Sequence, residues 1–173
     1  MEYQYPIGRP EIPDEIRMEH IEKWVEDIAA APDLIRKAVQ GLNEKQLDTP
    51  YRPEGWTVRQ VVHHLADSHM VTYLNFRSGL LGQDVPMRTG DVNGWAMTKD
   101  YLTGDVTTSV DALDALHRRW VTLLETMSDE DFKRNMIAAN GSQRSLGTLL
   151  AIYAWHGRHH VAHITELRSR MGW

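Results

Sequence analysis

The chain has 173 residues, of which 42% are apolar and 25% charged, which is the size of one domain with a core of its own. Its formal charge is −5 and its bases are scattered, which argues against a nucleic-acid partner. There is no cysteine, so disulfides, thiolate metal ligands and a cysteine nucleophile are excluded. The opening Met1-Glu2-Tyr3-Gln4-Tyr5-Pro6 lacks the charged and apolar regions of a signal peptide. The longest apolar run, Leu149 to Trp155, falls far short of the roughly 18 residues that span a bilayer. A cytoplasmic protein with a small-molecule substrate, and neither a membrane nor a nucleic acid as partner, is the expectation.

Residues 1–13 carry Pro6, Pro10 and Pro13 around Gly8 and read as an extended arm before a single domain over 14–173. From about Ile16 a helical pattern runs through Ile21, Trp24, Val25 and Ile28. Pro32 then suits the first turn of a continuation closed near Gly41, which predicts a kinked or two-part first helix. Asn43 with Gln46 caps a single turn. Thr57 with Gln60 forms a capping box for a second main helix from Val58 to about Leu81.

The stretch from Gly82 to Thr107 has Pro86, Gly90, Gly94 and Gly104, with at most a short helix near Trp95 to Asp100. Such a long connection suits a crossover that leaves the two helices it joins parallel. Thr108 or Ser109 is read as the cap of a third helix carrying Val110, Leu113, Leu116, Trp120 and Leu124. Ser128 starts one more turn. Asn140-Gly141 between short alternating runs signals a type I′ hairpin, and Ser145 with Thr148 opens a last helix to about Arg170. The fold expected is all-α: a four-helix bundle with a long crossover between the second and third main helices and a small hairpin before the last.

Seven of the nine histidines lie in two short segments, His63 to His69 and His156 to His163. At about 100° per residue, His64 falls on the flank of the apolar stripe of its helix, and His63 points away. On the last helix His156 and His160 fall inside the stripe, one turn apart. His159 lies about 80° off it, and His163 shares the inner face further along. Imidazoles at i and i+4 on an inward face suit a transition metal, and a buried imidazole without a partner costs about 1–3 kcal/mol. The zincin protease pattern fails, because Gly157 stands where its glutamate would be.

His64, His156 and His160 are therefore the candidate metal ligands, with His163 the main competitor. Three imidazoles leave an open position, as catalytic sites do. Asp67 and Glu166 are candidates to orient a ligand or act as a base. His69 and His159 read as surface or supporting residues, and His20 and His117 as ordinary. Arg52, Arg59 and Arg158 are candidates for an anionic substrate group.

These segments resemble the DinB superfamily, and within it the YfiT-like branch. The resemblance is carried by Leu47-Asp48-Thr49-Pro50-Tyr51-Arg52, by Gly55-Trp56-Thr57-Val58-Arg59-Gln60-Val61-Val62-His63-His64-Leu65-Ala66-Asp67-Ser68-His69, and by Trp155-His156 through Glu166-Leu167. Tyr5-Pro6-Ile7-Gly8 and Arg170-Met171-Gly172-Trp173 agree as well. The resemblance implies a dimeric four-helix bundle and a zinc or nickel ion on His64, His156 and His160. It also implies metal-dependent hydrolysis. Related branches imply a rival, S-transfer of a bacillithiol-like thiol; with no cysteine in the chain, that thiol would be a small cosubstrate. A third reading is a non-catalytic metal-binding stress-response module.

Overall fold

The computed structural model describes residues 3–173; the first two residues of the expected arm lie outside the described residues. In chain order the elements are α1 (Met18–Val39), α2 (Glu44–Leu47), α3 (Val58–Leu81), β1 (Val85–Pro86), α4 (Val92–Trp95), α5 (Lys99–Thr103), α6 (Val106–Glu125), α7 (Asp129–Phe132), β2 (Asn135–Ile137), β3 (Gln143–Ser145) and α8 (Leu146–Met171). The fold is a four-helix bundle of α1, α3, α6 and α8, in which α1 packs on α6 and α8, and α3 packs on the same two.

Two apolar clusters fill the ends of the bundle and fix the helix directions. One joins Ile35 and Ala38 to Val58, Val61, Val62, Leu65, Val106, Val110, Leu113, Ile164 and Leu167. The other joins Ile21 and Ile28 to Tyr73, Phe76, Trp120, Leu124, Leu146 and Leu149. The first halves of α3 and α6 thus share one end, so the helices on either side of the crossover run parallel, as its length suggested. The histidines lie in the layer between the two clusters.

Local chemistry explains most boundaries. Thr57 Oγ1 accepts from the Gln60 amide at 3.2 Å, and Gln60 Oε1 accepts from the Thr57 amide at 2.8 Å, closing the box that starts α3. Ser145 accepts from the Thr148 amide at 3.0 Å and starts α8; Gly172, at φ +69, ends it.

Three local expectations are corrected. The first helix is continuous from Met18 to Val39 and runs through Pro32, because that residue is buried in the bundle and packing holds the helix together. The third main helix starts earlier than Thr108: Asp105 is its cap, its carboxylate accepting from the Thr107 amide at 2.9 Å and the Thr107 hydroxyl at 2.8 Å. The hairpin turn is wider than type I′. Gly141 alone has positive φ, its amide donates to the Ala138 carbonyl, and the Ala138 amide donates to the Ser142 carbonyl. A strand absent from the expectation, β1, pairs in parallel with β2 and makes a three-stranded sheet of the hairpin.

Polar side chains of α3 strap the long crossover to the bundle. Asn75 exchanges two hydrogen bonds with the backbone of Arg88, and Gln60 Nε2 donates to the Ala96 carbonyl at 2.7 Å. Tyr101 donates to Asp67 at 2.6 Å, and Arg59 donates to the Gly104 carbonyl at 2.7 Å. A helix covered on one side by a segment of irregular backbone must supply partners for it, which is why α3 buries so many polar residues. Among the described residues no helix is long and apolar enough to cross a membrane.

Candidate metal centre

α3 presents His64 and α8 presents His156 and His160 to a common point between them. One ring nitrogen from each lies within 4.8 Å of the other two. The Nε2 atom of His156 is 3.0 Å from Nε2 of His160 and 3.3 Å from Nε2 of His64. Nitrogens bound at about 2.0–2.1 Å in a tetrahedral zinc site lie about 3.3 Å apart, so this spacing fits a shared cation. His64 and His160 are buried and His156 is partly buried. Burial holds His64 near pKa 4 and pushes His160 and His156 well below the ordinary value, where neighbouring imidazoles lower them further. All three rings are therefore neutral at pH 7, the form that binds a metal.

The hydrogen bonds around His160 fix which of its nitrogens is bare. The Gln4 carbonyl can only accept, so His163 Nε2, at 3.2 Å, carries a proton and donates to it. In neutral His163 the other nitrogen, Nδ1, is then an acceptor, and His160 Nδ1 donates to it at 3.3 Å. That leaves Nε2 of His160 with a lone pair aimed at His156. His163, the competing ligand, is thus placed behind His160 rather than at the centre. His64 Nδ1 is buried without a protein partner, so its interacting nitrogen is the inward Nε2. A donor set of three neutral imidazoles with no thiolate fits a borderline divalent ion.

The carboxylates expected as helpers lie elsewhere. Asp67 is turned toward α5 and accepts from Tyr101, because the crossover covers that side of α3. Glu166 is exposed and lines a separate small cavity with Tyr3, Tyr51, His163 and Arg170. Neither belongs to the histidine cluster. Of the arginines, Arg59 is buried and paired with Glu44 and Asp48, and Arg158 lies outside the bundle near Asp27. Arg52 alone lines the cavity of about 270 Å³ that reaches His160, together with Tyr5, Tyr51, Trp56, Asn93 and His159.

Sequence reasoning missed how deeply the other histidines sit. His63 is buried with its Nδ1 2.7 Å from the Ser109 hydroxyl, and His159 is buried in a stack on Trp155. His69 and His117 are wholly buried, 2.9 Å apart. Helix angles could not find these, since α3 is covered on nearly every side.

Residues 27–164 match the family model of the DinB superfamily. The chain belongs to the DinB superfamily. A Bacillus licheniformis protein provisionally named a metal-dependent hydrolase is 46% identical over 171 residues, covering 98% of this chain and 97% of the relative. YfiT of Bacillus subtilis, with the same provisional name, is 44% identical over 170 residues, covering 98% and 96%. The solved structure of Bacillus subtilis YfiT is described as a probable metal-dependent hydrolase with an unusual four-helix bundle topology. It superposes with a TM-score of 0.97 at 42% identity, covering 100% of this chain and 99% of that one.

Proposed function

We propose that this protein is a metal-dependent hydrolase of the YfiT type, with His64, His156 and His160 holding a zinc or nickel ion. The observation that carries the reading is the convergence of three Nε2 atoms, the one on His160 shown to be unprotonated by its bonds to His163 and Gln4. A divalent cation on these residues supplies a Lewis acid and lowers the pKa of bound water toward neutrality. The rest is done by the protein. Neutral, buried imidazoles hold their lone pairs ready without a proton to lose. The cavity beside His160 admits a small substrate, and its walls of Tyr5, Tyr51 and Trp56 contact apolar surface. The Arg52 guanidinium, held by the Tyr51 hydroxyl and the Pro53 carbonyl, offers its remaining N–H groups to an anionic or carbonyl oxygen. The chain's carboxylates are not placed to act as a general base, so water activation rests on the cation.

Metal analysis of protein purified without added metal, followed by assays of zinc-loaded, nickel-loaded and stripped protein on aryl esters and amides, tests this. Hydrolysis by loaded protein alone is expected. Equal hydrolysis by stripped protein overturns the reading. Turnover only when a small thiol is supplied with an electrophile would reassign the chemistry to S-transfer. A metal-dependent rise in melting temperature with no turnover would indicate a non-catalytic metal-binding module.

A further inference from the structure

Pro32 sits inside α1, and its nitrogen has no hydrogen to donate. The carbonyl of Ile28, one turn earlier, therefore lacks its helical donor. Nδ1 of His117, on α6, reaches that carbonyl at 2.5 Å. Because a carbonyl only accepts, the Nδ1 of His117 carries the proton. His117 is 1% exposed, and burial holds it near pKa 4, so the ring is neutral and its Nε2 is an acceptor.

Each ring then dictates the next. Nδ1 of His69 lies 2.9 Å from Nε2 of His117 and must donate to it. Nε2 of His69 is left as an acceptor, and Nδ1 of His156 lies 3.1 Å from it. His156 therefore donates from Nδ1, and its Nε2 keeps a bare lone pair facing His64 and His160. Burial, reinforced by the neighbouring rings, keeps His69 and His156 neutral. Stacking adds rigidity: the rings of His69 and His117 lie 4.9 Å apart at 20°, and those of His69 and His156 lie 5.3 Å apart at 28°.

We infer that His117 and His69 are positioning residues for the cation site, through which the carbonyl freed by Pro32 sets the tautomer and orientation of His156. The purpose of the arrangement rests on the metal reading above, but the chain of tautomers is a property of the metal-free protein. No charge moves along it. Its effect is to point an unprotonated Nε2 at the shared centre before any cation arrives. His163 and the Gln4 carbonyl do the same for His160, so both ligands on α8 end in backbone acceptors. Partners that orient a metal-bound imidazole in this way typically account for 10–100-fold in affinity.

Long-range ¹H–¹⁵N correlation spectra of the imidazoles in the metal-free and zinc-loaded wild-type chain test the tautomers directly. His117, His69 and His156 should each show a proton on Nδ1 and a bare Nε2 before zinc is added. Zinc should then shift Nε2 of His156 and leave the other two tautomers unchanged. Zinc affinity, read by competition with a chromophoric chelator, should fall about 10–100-fold in His69→Leu, which cannot accept from His156. It should stay within a few-fold of wild type in His69→Gln, whose amide can donate to His117 and accept from His156. A proton on Nε2 of His156 in the metal-free chain overturns the inference, as does wild-type zinc affinity in folded His69→Leu. Should the tautomers stand while wild type takes up no zinc, the relay is upheld and it is the metal reading that fails.

Discussion

His156 and His160 stand one turn apart on α8 with their Nε2 atoms 3.0 Å from each other, and His160 directs a lone pair, not a proton, across that gap. Substituting either ring by Ala should lower metal affinity by more than the 10–100-fold expected of an orienting partner. His163→Ala should fall within that smaller range, because it removes only the acceptor behind His160. Metal content after dialysis against a graded chelator series separates the two classes. Equal losses at positions 160 and 163 would place His163 among the ligands.

Asp67 is engaged with Tyr101 and faces away from the histidines. Asp67→Asn should therefore leave kcat and KM within about twofold and cost about 1 kcal/mol of stability through the weakened crossover strap. Turnover of the metal-loaded variant and a urea unfolding curve are the measurements. A loss of turnover of 100-fold or more, with metal retained, would restore Asp67 as a base.

Arg59 ties α2 and the crossover to α3, donating to Asp48, Glu44 and the Gly104 carbonyl. Its guanidinium is buried, but the two carboxylates are 54% and 83% exposed, so they regain water once the arginine is gone. The larger cost of a broken buried ion pair does not apply. Arg59→Met should lose about 1–2 kcal/mol, set mainly by the Gly104 carbonyl left without its donor. The midpoint of urea unfolding should fall, with zinc affinity unchanged.

His117 also makes the metal-free protein sensitive to acid. Its folded pKa is near 4, while the unfolded chain takes up this proton near 6.5. Below 6.5 the unfolded state binds a proton that the folded state refuses. Stability is therefore complete above pH 6.5 and declines as pH falls toward 4, by up to about 1.4 kcal/mol per pH unit. In His117→Gln the melting temperature of the metal-free protein should decline less steeply between pH 6.5 and 5. An unchanged slope would show that His117 is already charged in the fold.

Much of the site was legible because a helix turns through a constant angle. Placing Leu149, Tyr153 and Ile164 on one face placed His156 and His160 there too, and the capping pairs at Thr57 and Ser145 set the helix starts. Where the reading went astray, the cause was an element arriving from a distance. Asp67 looked like a free carboxylate until Tyr101 came over it. His69 and His117 belong to helices separated by the crossover. β1 pairs with a strand about 50 residues further on, and parallel pairing leaves no local turn signal.

The order of residues along the chain determined, without help, the four long helices, the crossover between them and the faces on which His64, His156 and His160 would lie. These follow from short-range rules, apolar period and capping, that hold before helices meet. Which histidine nitrogen is bare, which arginine reaches the cavity and which carboxylate is occupied were decided only when the helices packed. Each of those outcomes depends on a hydrogen-bond partner supplied by another element, and buried polar groups take the partners that packing brings within about 3 Å.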